Sequence, residues 1–337
     1  MTWSTRPGRL RNRVHRVHLL TGSREVGMGS GRRKMRADDD RKSACKKFLS
    51  AVRSVYGLDQ HERHSIPYTD GHVEGFLPAY RFTPARPKGT IVFFGGFDSY
   101  IEELTQAFFY LRDAGYEVIA FEGPGQGDAL NEAGLPMTAE WHKPVKAVLD
   151  HFQVNRVTLI GLSMGGCFVL RAAAFETRVE RVVAYDIFTD FLEVNLRQVN
   201  PLIRGLLKVL LNLRAAEVVN AMVARVAKKS PVAEWGIAEG MHVTGTSSPY
   251  EFLLKAAQFH TADVSGLVKQ DVLLLAGRED HYVPVRQFHQ QIRMLTNARS
   301  VTARLFTGSE SAGNHCQVGN YGLALRTIVN WLDGMSK

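Results

Sequence analysis

The sequence predicts an α/β protein: a mostly parallel sheet, covered by helices on both faces and interrupted by a helical insertion. Three observations carry this. Short apolar runs alternate with amphipathic ones from Thr90 to Ile187, the rhythm of strands buried on both faces between crossover helices. The rhythm stops over residues 188–262, which hold several helical patterns and no clear strand. It resumes at Asp271 and runs to the C-terminus.

Taken in order, Ser43–Tyr56 has helical spacing through Phe48, Val52 and Val55. His64–Tyr68 and His72–Phe82 read as strands joined by Thr69-Asp70-Gly71, an antiparallel hairpin at one edge. Strands follow at Thr90–Phe94, Tyr116–Phe121, Arg156–Gly161 and Val179–Ile187. Between them lie helices at Ile101–Ala114, Thr138–Phe152 and Gly165–Phe175. Leu202–Leu213 and Ala215–Ala227 are helical patterns of the insertion. The last part reads strand Asp271–Ala276, helix Val283–Leu295, strand Val301–Phe306 and helix Gly322–Trp331. Crossovers of this kind are right-handed. The predicted organisation is a basic disordered tail over 1–44, a core from 45–187 and 263–337, and a helical cap over 188–262.

Composition limits the function. Apolar residues make up 45% and charged residues 22% of 337 residues, ordinary for a globular chain. No run approaches the roughly 18 apolar residues of a membrane span. The net charge of +9 suggests nucleic acid until it is located. Residues 1–44 hold 12 Lys/Arg against 4 Asp/Glu, and the remaining residues hold 30 against 29. The body is therefore near neutral, without the clustered charge of a nucleic-acid groove. The Arg-rich start lacks a secretory apolar region, since Val17–Leu20 is short and broken by His18. A mitochondrial transit peptide and translation upstream of a start at Met28 or Met35 are alternative readings of that tail. Three cysteines, Cys45, Cys167 and Cys316, with no C-x-x-C spacing, favour neither a disulfide framework nor a zinc site. A reducing, cytoplasmic compartment fits that usage.

The chemistry centres on Gly161-Leu162-Ser163-Met164-Gly165-Gly166, which follows an apolar strand and opens a helix. In a nucleophile elbow the serine sits on a strained strand-to-helix turn. Side chains two residues to either side would collide there, so Gly161 and Gly165 are steric requirements. The helix N-terminus behind Ser163 favours developing negative charge. On this fold the acid and the histidine follow the serine in that order. Asp280, in Gly277-Arg278-Glu279-Asp280, ends the next-to-last strand, where a carboxylate points into the crevice. Glu279 is one residue off that direction, and capping the following helix is Asp280's alternative role. Asp186, inside the apolar run Val182–Phe188, and Asp190 compete as the acid, since some folds of this type place it after the preceding strand. His315 lies between the last strand and the last helix, and is the only histidine after His289. For the oxyanion hole, the expected donors are the N–H of Met164 and that of Phe97 in Gly95-Gly96-Phe97-Asp98. Gly123-Pro124-Gly125-Gln126-Gly127 reads as a turn lining the site without chemistry of its own. No phosphate-binding glycine motif follows a strand.

At these residues the chain resembles one branch of the α/β-hydrolase superfamily, which includes 2,6-dihydroxypseudooxynicotine hydrolase and fungal polyketide-shortening hydrolases. The matching pieces are Gly95-Gly96-Phe97-Asp98 with Glu102-Glu103, Gly123-Pro124-Gly125-Gln126-Gly127, the elbow, Gly277-Arg278-Glu279-Asp280 and His315-Cys316-Gln317-Val318-Gly319-Asn320. Trp235-Gly236 and Pro249-Tyr250 in the insertion are similar too. The resemblance implies the α/β-hydrolase fold, a helical cap over the site, and ester or carbon–carbon hydrolysis without metal or organic cofactor. The chain's N-terminal part is shorter than in those members. The expected partner is a small-molecule substrate, with no nucleic acid and no membrane; a homodimer stays open. A non-catalytic receptor on the same fold is the competing function, and such receptors often lose a triad member. Leu202, Leu206, Leu210, Val219 and Met222 are the cap residues expected to form its core or line the pocket.

Overall fold

The structure is a computed structural model that describes residues 31–71 and 73–335. Residues 1–30, most of the expected tail, lie outside the described residues, as does His72. The first helix, α1 (Gly31–Tyr56), begins earlier than the expected Ser43, so residues 31–44 are helical here and not disordered tail. The sequence contains the reason. No glycine or proline occurs between Arg32 and Tyr56, so nothing in the sequence breaks a helix there.

Eight strands form one sheet: β1 (Arg63–Asp70), β2 (Val73–Phe82), β3 (Thr90–Phe94), β4 (Glu117–Phe121), β5 (Val157–Leu162), β6 (Val179–Tyr185), β7 (Asp271–Gly277) and β8 (Ser300–Phe306). Their spatial order is β1-β2-β4-β3-β5-β6-β7-β8. The first two pairings, β1/β2 and β2/β4, are antiparallel, and all others are parallel. All eight coincide with predicted strands.

The inner strands are apolar throughout because both faces are covered. Val92, Phe94, Leu159, Val182 and Leu274 face one buried cluster. Ile91, Phe93, Ile160, Val183 and Leu273 face the other. The first face is covered by α4 (His142–His151) and α5 (Gly165–Ala173), beside which Trp141 stacks on Phe168 with ring centroids 4.0 Å apart. The second is covered by α2 (Thr105–Asp113) and α12 (Tyr321–Gly334), through Phe108, Leu111, Ala324 and Ile328. A short helix, α3 (Gly127–Asn131), lies between β4 and α4. The segment α11 (Val285–Met294) connects β7 to β8.

Between β6 and β7 come α6 (Phe191–Asn195), α7 (Pro201–Asn212), α8 (Ala216–Ala227), α9 (Pro231–Thr244) and α10 (Pro249–Ala256). The base of this insertion is closed by backbone bonds from Phe191 N–H to Phe259 O (3.0 Å) and from Thr261 N–H to Thr189 O (3.1 Å). Its helices have an apolar cluster of their own, in which Leu207, Leu211, Val219, Phe252 and Leu253 are buried. Leu210 and Met222 pack against it, whereas Leu202 and Leu206 are exposed. Helices α9 and α10 lie beyond the two helical patterns named for the insertion. Both start on a serine cap followed by proline, with Ser230 accepting from Ala233 N–H and Ser248 from Glu251 N–H. No helix of the described residues is long and apolar enough to cross a membrane.

Two glycines make opposite predictions. A Cβ on Gly161 in β5 would lie 2.1 Å from the carbonyl oxygen of Gly165, so Gly161→Ala should destabilise by about 3 kcal/mol or more. Gly205, within α7, has open space around it, and Gly205→Ala should stabilise by about 0.5–1 kcal/mol. Urea unfolding of the two variants measures both; equal effects would contradict the packing at the β5 turn.

Candidate active site

Ser163 stands at the carboxyl end of β5 with φ +58°, in the left-handed region that side chains rarely adopt. Its N–H donates to Tyr185 O on β6 at 2.7 Å, which fixes the turn to the neighbouring strand. Gly165 backs against the loop after β3, and a Cβ there would be 2.6 Å from Gly95 O. That loop closes on the serine from the other side. A Cβ on Gly96 would sit 2.8 Å from Ser163 Cβ and 2.9 Å from Met164 N.

The Ser163 Oγ is 2.8 Å from His315 Nε2, and His315 Nδ1 is 2.6 Å from Asp280 Oδ2. Three residues distant in sequence thus form one hydrogen-bonded line. Asp280 Oδ1 also accepts the N–H groups of Tyr282 (2.7 Å) and Val283 (2.9 Å). One oxygen thus faces the histidine and the other braces the turn before α11; the helix itself is capped at Pro284 without a side-chain bond, so Asp280 is not its N-cap. The backbone carbonyl of Asp280 accepts from Arg197, just after α6, at 3.0 Å.

Asp186 is the closest competitor. Its Oδ2 lies 3.8 Å from His315 Nδ1, beyond hydrogen-bond range. It instead accepts the N–H of Cys316 at 3.1 Å and the Gln317 amide at 3.4 Å. Those two residues follow His315 with φ of +49° and +50°. Tyr185 OH donates to Cys316 O at 3.2 Å, so the end of β6 grips this left-handed turn from both sides. Asp190 faces away, capping α6 through Glu193 N–H.

The charges follow the geometry. Burial raises the Asp280 carboxyl, but the His315 hydrogen bond and charge outweigh it and hold the group below its ordinary value. Burial opposes a charged His315, and the Cys316 and Asp280 side chains overcome it, placing the imidazole above its ordinary 6.5. Asp186, fully buried beside Asp280, is pushed up to about 7, mainly by burial. Two carboxylates this close do not both ionise easily.

Neither Phe97 N–H nor Met164 N–H has a hydrogen-bond acceptor among the described residues. They flank the contact between Gly96 and Ser163. Gln126 carries no signal in the sequence, because a glutamine in a glycine-rich turn is ordinary until its neighbours are known; its buried amide binds the carbonyls of Gly95 and Gly96. Sequence reasoning also missed Tyr282, whose ring lies edge-on to His315 at 5.2 Å. Among the described residues, Asp186, His315 and Cys316 bring potential metal ligands within 4.8 Å of one another. Both His315 nitrogens are occupied by Ser163 and Asp280, so that trio is accounted for without an ion.

Comparison with known proteins agrees with this architecture. The family model described as serine aminopeptidase S33 matches residues 85–309. The hydrolase acrC of Aspergillus aculeatus is 30% identical, over 80% of this chain and 69% of that protein. The hydrolyase poxO of Penicillium oxalicum is 28% identical, over 76% of this chain and 66% of that protein. The chain spans only about two thirds of the length of these curated relatives. The crystal structure of 2,6-dihydroxy-pseudo-oxynicotine hydrolase superposes with a TM-score of 0.62 at 18% identity, covering 87% of this chain and 74% of that one. That likeness shows a shared fold. With a family match over residues 85–309, and a relative at 30% identity that is named a hydrolase, the chain belongs to the serine aminopeptidase S33 family of α/β hydrolases and is a hydrolase.

Proposed function

We propose that this hydrolase acts on a carbonyl compound through Ser163, His315 and Asp280. The observation that carries the reading is the unbroken line Ser163 Oγ, His315 Nε2, His315 Nδ1, Asp280 Oδ2, with separations of 2.8 and 2.6 Å. Ser163 attacks the carbonyl carbon while His315 takes the hydroxyl proton. Asp280 holds the imidazole in the tautomer that presents Nε2 as acceptor, and stabilises the imidazolium. The N–H groups of Phe97 and Met164 receive the tetrahedral oxyanion. His315 then gives the proton to the leaving group, and water hydrolyses the acyl-enzyme by the same steps. An intact triad argues against a ligand receptor on this fold.

The substrate class follows from the leaving group. An ester releases an alkoxide, which His315 protonates directly. A ketone must release carbon, and that demands a carbanion delocalised onto a second carbonyl or a phenol ring. A cap of helices that excludes water would aid this step. Likeness to a hydrolase of 2,6-dihydroxy-pseudo-oxynicotine, with the family resemblance, favours aromatic or polyketide-like carbonyl compounds. A simple carboxylesterase is the outcome if kcat/KM strongly prefers a short p-nitrophenyl ester and an aryl β-diketone is not cleaved.

Fluorophosphonate labelling should map to Ser163, and Ser163→Ala should lower kcat by roughly 10⁴-fold or more. Modification of another serine would remove the assignment. Asp280→Asn should cost about 10³- to 10⁴-fold, because an amide fixes the wrong tautomer. Asp186→Asn, further from the imidazole, should cost much less; the reverse ranking would transfer the acid role to Asp186.

The pH profile has a defined sign. His315 is a base only when neutral, and its folded pKa lies above 6.5. Activity should therefore rise with pH through a midpoint above 6.5 and fall away in acid. Removing the Asp280 charge withdraws part of the support for the imidazolium, so the midpoint of Asp280→Asn should move down. A midpoint unchanged in that variant would show that the two groups are not coupled.

A further inference from the structure

We propose that Gln126 is a positioning residue for the oxyanion hole, holding the Gly95–Phe97 loop in the orientation that presents the Phe97 N–H; the proposal rests on the triad reading above. Gln126 lies in the tight turn after β4, and its side chain is buried. Its Nε2 donates to Gly95 O and to Gly96 O, both at 2.8 Å, and its Oε1 accepts the Gly123 N–H at 2.9 Å. The two amide donors are thereby spent on two successive carbonyls of a loop about 30 residues away in sequence.

The geometry of the peptide group makes this more than a packing contact. In a trans peptide the carbonyl of one residue and the N–H of the next point in opposite directions across one rigid plane. Fixing Gly96 O on Gln126 therefore turns the Phe97 N–H away from Gln126. Gly96 itself is pressed against Ser163 and Met164, so the plane that Gln126 fixes lies beside the nucleophile. The Phe97 N–H has no acceptor among the described residues. A donor fixed before reaction needs no reorganisation when the oxyanion forms.

The turn that carries Gln126 is itself braced. Gly125 has φ +83°, and a Cβ there would meet Met137 Cβ at 2.4 Å. The buried Glu122 carboxyl accepts Ile101 N–H at 3.1 Å and Asp128 N–H at 2.7 Å. It thus ties the segment after the Gly95–Asp98 loop to the start of α3, and the loop is held at both ends by side chains that follow β4.

The test compares Gln126→Asn, Gln126→Glu and Gln126→Leu. The first keeps an amide one methylene too short, the second keeps the shape but presents an acceptor to two carbonyls, and the third removes every bond. Each is assayed for kcat and KM on a p-nitrophenyl ester, and for inhibition by an alkyl trifluoromethyl ketone, whose serine adduct carries the oxyanion. We expect kcat to fall by about 10- to 100-fold with KM within about twofold. The inhibition constant should weaken in step with kcat/KM across the series, which a merely structural residue would not produce. Wild-type kcat and inhibitor affinity in folded Gln126→Asn overturn the proposal. So does loss of the folded circular dichroism spectrum in all three variants, which would make Gln126 a core residue only. Hydrolysis that survives Ser163→Ala is a separate outcome: it defeats the triad reading, and the oxyanion proposal with it.

Discussion

The site depends on one close backbone approach, that of the Ser163 turn against the loop leaving β3. Strands β3 and β5 are neighbours, with Phe94 in register with Gly161, so Gly95 and Gly96 emerge beside the serine. Side chains cannot be accommodated there. A Cβ on Gly161, Gly165 or Gly96 would fall 2.1, 2.6 or 2.8 Å from a neighbouring atom. The left-handed conformation of Ser163 costs about 1–2 kcal/mol. It is offset locally by the Ser163 N–H bond to Tyr185 and by the helix that starts at Gly165. Three missing methyl groups therefore permit a serine held by backbone, beside two N–H groups that have no acceptor among the described residues.

Much of this was legible in the sequence, and the reasons differ by element. All eight strands could be read because buried parallel strands are continuous apolar runs. Ser163, Asp280 and His315, which meet in one hydrogen-bonded line, could be singled out because each sits at a fixed place relative to a strand end. The beginning of α1 could not: a charged helix without an apolar stripe looks like tail, and only the absence of glycine and proline after Arg32 distinguishes it. Trp141, at the start of α4, is fully buried against Phe168, although nothing in its local sequence marks it as core. The role of Asp186 was also invisible, since it depends on where the His315 loop lands. Residues two strands apart at the carboxyl edge of a sheet meet only when the loops are placed.

Asp186 and Asp280 show how two nearly equivalent acids come to do different work. Asp280 receives a charge-assisted bond from His315 together with two backbone N–H groups, all of which favour the anion. Asp186 accepts the Cys316 N–H and a longer amide contact in a fully buried setting, where burial first, and then the charge and contact of Asp280, push its carboxyl up to about 7. At 3.8 Å from His315 Nδ1, against 2.6 Å for Asp280, Asp186 does not draw the imidazole away from Asp280. It still holds the Cys316 N–H, and with Tyr185 it keeps the left-handed turn that orients His315. The second acid thus positions the His315 ring without taking its Nδ1 hydrogen bond from Asp280.

A similar charge economy ties the N-terminal helix to the site. Arg53, on α1, bonds Glu102 at 2.8 Å, and Arg63, on β1, bonds Asp128 at 2.8 Å and reaches Glu102 and Glu122 at 3.4 and 3.5 Å. Two guanidinium groups face three carboxyls, so one negative charge is in excess. Burial, then the Glu102 charge, pushes Glu122 up to about 8, which leaves it protonated at neutral pH and balances the cluster. The sign of the linkage follows. A native group that keeps a proton its unfolded counterpart has released destabilises the fold progressively as pH rises from the ordinary 4.5 toward 8. Glu122 stays because its carboxyl is the acceptor for Ile101 and Asp128, the two ends of the brace behind Gln126. Stability is given up there in favour of fixed backbone beside Ser163, and α1 takes part because Arg53 supplies a counter-charge from outside the sheet.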